Sequence, residues 1–404
     1  MNIIKLSYKN IIAKPLQTFL TILILSLSIG LLLGVKQLNK VFESQLQQSL
    51  NGVDMVVGAK GSPLQLILST ILHIDNPTGN ISYNEAKKIA KNKYIKDAIP
   101  ISMGDNYKGY NIIGTTVDFV DLNKTSIETG AMFNTTYEVV IGNAISKNLN
   151  LSIGDTLYSA HGMIENAIES HDKNPLKVVG ILKPTQNVID RLILSNLESI
   201  WHLHEHEDES ESENTNHDHN HDNEQITALL IKFKNKRGLL HLPRNINENT
   251  PFQAALPKYQ LDKLFKFTAI GTKAITWIAF AILFVSGISM FVSLYRMVKE
   301  RAKELALIRT YGATRNKLIL LVFSEGLLVG VFSFLLGVIL AAFSLKTIFS
   351  LIKDTYKQDV YLLEFHNDIL ELFLFIFGII IIATLIAIRP IFKMDISKII
   401  SHES

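Results

Sequence analysis

Cysteine is absent from the 404 residues, which excludes a disulfide framework, an iron-sulfur cluster, a thiol nucleophile and any Cys-based zinc site. The absence fits an oxidising and a reducing compartment equally well. Charge is also scarce: 19% of residues are Asp, Glu, Lys or Arg, against about 25% in soluble proteins. With a mean hydropathy of +0.22, that deficit points to a membrane. Forty basic against 37 acidic residues leave a formal charge of +3, a balance that does not favour nucleic acid as a partner. The phosphate-loop spacing G-x-x-x-x-G-K-[ST] occurs nowhere, so the chain has no nucleotide site of that kind. Neither a nucleophile elbow nor HExxH nor a catalytic pair of carboxylates is present; the chain reads as a non-enzyme with no catalytic residues.

The apolar residues are concentrated in four blocks. Thr18 to Val35, Thr276 to Tyr295 and Leu372 to Ile388 carry no charge, and Leu318 to Leu345 carries only Glu325. Each is close to or above the ~20 residues that cross ~30 Å of hydrocarbon as a helix. The first block exceeds the ~7–15 residues of a signal-peptide core and reads as a retained span. Seven basic residues (Arg296, Lys299, Arg301, Lys303, Arg309, Arg315, Lys317) separate the second and third blocks, and three (Lys346, Lys353, Lys357) separate the third and fourth. By the positive-inside rule the first of these connections is cytoplasmic, which puts both termini inside as well.

The expected organisation is therefore a cytoplasmic amphipathic leading helix (1–17), span 1 (18–35), a large extracytoplasmic domain (36–272) and span 2 (275–298). A cytoplasmic helical connection (299–316), span 3 (318–345), a short outer loop (346–368), span 4 (369–388) and a cytoplasmic tail (389–404) follow. The fold class is an α-helical membrane protein with an α+β domain inserted between the first two helices. In that insert, Ser82 and Glu85 form a capping box for a helix through Lys93, with Ile89 on its apolar face. The runs at 110–116, 137–142 and 176–182 read as strands. The flanks 35–50 and 257–273 read as helical extensions of the first two spans, a stalk.

Three segments carry polar chemistry. Residues 201–224 hold His202, His204, His206, His217, His219 and His221 with nine acidic residues and no Lys or Arg. Imidazole with carboxylate suits zinc or copper, and the alternation on a flexible chain makes a collector or sensor loop, not a rigid catalytic centre. In Gly58 to Asn80, Ser62 and Pro63 cap and open a helix whose stripe is Leu64, Leu68, Ile71 and Leu72. His73 and Asp75 beyond it read as structural. In Arg296 to Lys317, Ala302, Leu305, Ala306 and Ile308 make a short apolar stripe, Gly312 stops the helix and Thr314 caps the next. Glu325 in an apolar span needs a helix partner or interfacial water.

ERAKELALIRTYGATRNKLILLVFSEGLLVG at 300–330 resembles the signature of FtsX-like permeases, and LSYKNIIAKPLQTFLTILILSLSIG and IRPIFKMDISKII resemble the family's first span and closing tail. VVIGNAISKNLNLSIGDTLY and VVGILKPTQNVIDRLILSNLESIW resemble the periplasmic domain of MacB-type permeases. The chain departs from the pattern at Ile396-Ser397, where Pro-Ala is common, and in the His-rich insertion, which together with the 58–80 segment resembles a zinc-associated subgroup.

The resemblance implies a type VII ABC transporter permease of the bacterial inner membrane: a dimer of four-span subunits, most simply a homodimer, with separate ATPase subunits. ATP would be used by the partner subunit, no cofactor being intrinsic; the zinc or copper expected at the His-rich loop rests on that loop's composition. Such systems act as mechanotransmitters, moving the outer domain against a periplasmic adaptor, lipoprotein or metallochaperone. By carry-over, Glu300, Arg301, Glu304 and Gly312 belong to the ATPase-coupling element and Glu325 to the membrane dimer interface. Two rival readings are direct metal-ion transport, disfavoured because the spans hold no His, Asp or Cys, and a metal-sensing receptor without a pump.

Overall fold

The computed structural model describes residues 3–13, 15–50, 52–161, 175–203, 224–356 and 366–389. They divide into two compact units, one of spans (up to 41, 268–351 and from 362) and one of the inserted domain (42–267 with 352–361).

In the span unit, α1 (Ile3–Ala13) precedes α2 (Pro15–Ser49). The inserted domain contributes α3 to α8. Then come α9 (Pro257–Glu300), α10 (Ala302–Thr310), α11 (Arg315–Tyr356) and α12 (His366–Ala387). Helices α2, α9, α11 and α12 are each long and apolar enough to cross a membrane, the only way an open chain satisfies its backbone in lipid. The helices α2 and α9 run unbroken through the flanks expected as stalk extensions. Small residues set the packing: a Cβ on Gly337 would sit 2.7 Å from the Ile29 side chain and 2.9 Å from the Ser26 carbonyl. Ser28 and Ser286 also share a hydrogen bond at 3.0 Å. Close approach through small residues and interhelical hydroxyl bonds are the usual means of helix association in lipid.

The inserted domain is α+β, with strands β1 (Met55–Ala59), β2 (Ile81–Ser82), β3 (Ile95–Tyr107), β4 (Tyr110–Gly114), β5 (Ile127–Gly130) and β6 (Glu138–Ile141). They are followed by β7 (Thr156–Leu157), β8 (Ala160–His161), β9 (Leu176–Leu182), β10 (Ile193–Ser195), β11 (Gln225–Ile226), β12 (Ala228–Phe233) and β13 (Phe252–Ala255). The long strand β3 serves two sheets. Its first half pairs with β12 in the order β13-β1-β12-β3, and its second half with β4 in the order β3-β4-β10-β6-β9-β5. The ladder shifts register between Met103 and Asn106, an irregularity of the kind that bends a strand.

Because strand side chains alternate, each sheet presents two faces, and both are buried. Val56, Ile113, Val140, Leu194 and Leu230 point into a central core shared by the two sheets. Helices α3 (Pro63–Thr70) and α5 (Asp118–Leu122) close that core with Leu66, Ile67, Phe119 and Val120. Behind the first sheet, Met55, Val57, Leu229 and Ile231 pack on α4 (Tyr83–Ala90) and α8 (Arg237–Asn249). Behind the second, Ile112, Val139, Ile141 and Ile193 pack on α6 (Asn143–Leu149) and on α7, a helix over 197–203.

Some local expectations change. Ser62 caps α3 as the sequence suggests, its Oγ accepting from the Gln65 N–H at 3.4 Å. The buried face of α3, however, is Leu66, Ile67 and Thr70 rather than Leu64 and Leu68, this being the face toward the central core, where the expected Ile71 and Leu72 are also buried. The Ser82–Glu85 capping box does not form: Ser82 sits at the N-cap without a side-chain bond and α4 ends at Ala90. Ser82 is already paired in β2 with β11. The expected strands at 110–116 and 137–142 are shorter, Tyr110–Gly114 and Glu138–Ile141.

The turn after β6 is fixed by close contact. A Cβ on Gly142 would collide with the backbone of Ile189 and Asp190, while the Gly142 N–H donates to the Leu192 carbonyl at 3.0 Å. Gly142→Ala should lower the stability of this domain by about 1–3 kcal/mol, read as a lower urea midpoint of the full-length protein in detergent. An unchanged midpoint would mean that the 189–192 turn yields freely.

Candidate functional site

Every residue carried over as coupling or interface falls where α9, α10 and α11 meet. Helix α10 is a short amphipathic segment: Leu305 and Ala306 are buried while Leu307 is half exposed. Leu305 packs with Val298, Leu318, Leu321, Val322 and Ile388, and Leu6 of α1 lies against the same cluster. The helix ends in a tight reversal. The Ala313 N–H donates to the Ile308 carbonyl at 3.2 Å and the Gly312 N–H to the Arg309 carbonyl at 3.1 Å, with Gly312 at φ +91°. That is the Schellman arrangement, in which glycine supplies the left-handed residue without a side-chain penalty. The Thr314 carbonyl then receives the Lys317 N–H at 3.0 Å as α11 begins.

Arg301 occupies the joint between α9 and α10, and its guanidinium reaches two acids. Nε donates to Glu304 Oε2 at 2.7 Å, and Nη1 lies 3.6 Å from Glu325 Oε1. Glu325, in the third turn of α11, is 1% exposed. A buried carboxyl group in an apolar helix is costly unless it is bonded, and Asn10 of α1 also donates through Nδ2 to its Oε1. One turn earlier on α1, Ser7 shares a hydrogen bond with Ser324 at 2.5 Å and donates to the Leu321 carbonyl at 3.3 Å. The structure thus brings Arg301, Glu304 and Glu325 together. Glu300 and Gly312 are exposed nearby, and the Glu325 carboxyl is enclosed within the single chain. Sequence reasoning missed Ser7, Asn10 and Ser324. The available signal was the requirement that Glu325 find a partner, which by itself does not point to a residue more than 300 positions away.

The His-rich segment is represented by its ends. His202 is exposed on α7; His204, His206, His217, His219 and His221 lie outside the described residues. Trp201 Nε1 donates to the Gln225 carbonyl at 2.7 Å, the Tyr83 N–H donates to the Glu224 carbonyl at 3.0 Å, and the Tyr83 and Trp201 rings lie 5.4 Å apart. The chain therefore leaves and re-enters the domain at one place. Among the described residues, no group of three or more His, Asp or Glu side chains is arranged to hold a metal.

His73 follows α3 at φ +52° and is 7% exposed. Its Nδ1 has no hydrogen-bond partner among the described residues. Asn111 Nδ2 donates to its carbonyl at 3.2 Å, and Arg191 Nη2 donates to the Leu72 carbonyl at 2.7 Å. Burial, and then the Arg191 charge, lower the His73 pKa to about 3. Asp75 is exposed and accepts the Asn76 N–H at 2.8 Å. Both residues have structural surroundings.

Four membrane-crossing helices around an inserted α+β domain define the class: a multi-pass membrane protein with an extracytoplasmic domain. Residues 276–396 match the family description FtsX-like permease C-terminal, and residues 18–235, more than half the chain, match MacB-like periplasmic core domain. The chain belongs to the FtsX/MacB-type ABC transporter permeases. Among solved structures, it is similar to the periplasmic region of MacB from Actinobacillus actinomycetemcomitans at 12% identity, with a TM-score of 0.34, covering 56% of this chain and 97% of that one. It is also similar to the extracellular domain of the ABC-type transporter YknZ from Gram-positive bacteria at 12% identity, with a TM-score of 0.30, covering 50% and 98%. No curated protein matches the chain.

The pH dependence of the domain follows from His73. In the unfolded chain the imidazole takes up a proton below about 6.5; in the folded chain it does so only near 3. Stability is therefore full above about pH 6.5 and falls as pH drops toward the folded value, by about 1.4 kcal/mol per pH unit, or about 2 kcal/mol by about pH 5. His73→Asn, which tolerates the left-handed backbone, should flatten that slope in urea titrations of the full-length protein. An unaltered slope would place the acid sensitivity elsewhere.

Proposed function

We propose that this chain is a permease subunit that converts ATP hydrolysis on a separate ATPase subunit into movement of its outer domain, the work being mechanical rather than the passage of a solute through the spans. The observation that carries this reading is the position of α10. It is a capped amphipathic helix between two spans, seated on α11 through Leu305, Leu318 and Leu321 and ion-paired through Arg301 with Glu325. Glu300, Glu304 and Gly312 are exposed at its surface. A push on such an element is transmitted to the spans instead of being absorbed in a loop. In this reading the chain sits in the bacterial inner membrane as a dimer, with both termini and α10 cytoplasmic. The moving domain acts on a periplasmic adaptor, lipoprotein or metallochaperone.

Direct metal-ion transport is disfavoured because the spans hold no His, Asp or Cys and because Glu325 is already engaged with Asn10 and Arg301. A divalent ion stripped of water takes six or more oxygen ligands in the case of calcium, and four in a structural zinc site. A receptor without a pump would keep the fold but bind no ATPase.

Reversing the exposed acids, with Glu300→Lys and Glu304→Lys combined, should abolish copurification of the cognate ATPase and ATP-driven movement of the outer domain, while the permease remains folded in detergent. Retained association and movement would overturn the coupling assignment.

The His-rich segment carries a second part of the proposal, zinc or copper binding linked to metal homeostasis. It is supported by six imidazoles and nine carboxylates within 201–224 and by the adjacent anchoring of the segment's ends, which leaves the core unchanged when the loop wraps an ion. Deleting 201–224 outright would remove Trp201 and the buried Leu203, so the informative deletion is 204–223. Calorimetry on the full-length protein should show micromolar or tighter zinc or copper binding that this deletion removes. Binding that persists would place the metal elsewhere.

A further inference from the structure

We infer that Glu325 is the positioning residue of a latch that ties the leading helix α1 and the coupling helix α10 to the same point on α11, so that the two move as one body. A single carboxyl oxygen, Oε1, accepts from Asn10 Nδ2 and lies 3.6 Å from Arg301 Nη1. Those two donors come from elements separated by 291 residues, the difference between positions 301 and 10. Ser7 and Ser324 repeat the α1–α11 connection one turn away, and Leu6 joins Leu305, Ile308, Leu318 and Leu321 in the apolar cluster beneath. Polar and apolar contacts thus select the same docked geometry.

The arrangement assigns distinct roles. Arg301 is held from two sides, by Glu325 inside and Glu304 outside, and fixes the angle between α9 and α10. Asn10 makes α1 follow α11. Removing Glu325 leaves both a half-buried amide and a guanidinium without that acceptor, and the helices separate. Loss of a hydrogen bond to a charged group should raise the undocked population by roughly tenfold or more.

The absence of native cysteine makes pairs of spin labels clean reporters. Tyr8, Leu307 and Leu320 are each about half exposed, at 52%, 50% and 50%. Labels at Tyr8→Cys with Leu320→Cys report α1 against α11, and labels at Leu307→Cys with Leu320→Cys report α10 against α11. In the full-length permease alone, in lipid nanodiscs, both distance distributions should be narrow. Asn10→Ala should broaden the first only, Arg301→Ala the second only, and Glu325→Ala both. The single-sided variants keep the test decisive even if Glu325→Ala fails to fold. Distributions unchanged by Asn10→Ala and Arg301→Ala would overturn the latch.

The claim that the latch carries ATP-driven motion rests on the permease reading above. With the ATPase bound, ATP should change the spectra of single labels at Tyr8 and at Leu307, and Asn10→Ala should abolish the change at Tyr8 while leaving that at Leu307. Both changes surviving in Asn10→Ala would overturn transmission through α1. No change at either label in the unaltered protein would overturn the coupling function, with the latch judged by the distances measured without ATPase.

Discussion

A carboxyl group cannot be left alone in the apolar part of a helix bundle, and that constraint organises the ends of the spans around Glu325. At 1% exposure it has no water, so its bonds must come from the protein. Asn10 from α1 donates to it, and Arg301 from the α9–α10 joint supplies a charge 3.6 Å away. An apolar residue at this position would pack α11 equally well but would not specify which part of α1 or α10 it meets. The stability contributed by such a buried pair is small or uncertain in general. Its value here is in register, since Asn10 and Arg301 each have one acceptor to find on α11.

The same economy operates in the inserted domain, where β3 replaces a linker. By pairing first with β12 and then with β4, one strand makes two sheets share the core lined by Val56, Ile113, Val140, Leu194 and Leu230. Displacement of one sheet is then resisted by close-packed side chains of the other, because interiors at crystal-like density transmit strain instead of absorbing it. Gly142 against Ile189 and Asp190, and Arg191 against the Leu72 carbonyl, brace the rim of that core.

The spans were legible because hydropathy and length are one-dimensional properties, and four uncharged or nearly uncharged blocks admit one reading in lipid. Helix α10 was legible for a related reason: its stripe and its glycine stop are local, and Gly312 at φ +91° is where the sequence placed the turn. Long-range facts were not legible. Glu325 announced a need for partners without naming Asn10, and the buried face of α3 shifted from Leu64 and Leu68 to Leu66 and Ile67 because the core that recruits it is assembled from strands as far along the chain as Ala255, 189 residues beyond Leu66. Likewise the Ser82–Glu85 pattern matched a capping box, but β-pairing of Ser82 with Gln225 competed for the same residue.

Helix length shows what the joint after α9 has to hold. At ~1.5 Å per residue a helix of about 44 residues is ~66 Å long, against ~30 Å of hydrocarbon. The helix α9, Pro257–Glu300, is therefore longer than the hydrocarbon alone requires, and a loose joint at its end would leave α10 at no fixed angle to it. Arg301, held by Glu304 on the surface side and Glu325 on the buried side, makes that joint stiff, because rotating α10 away from α9 would separate the guanidinium from one carboxylate or the other.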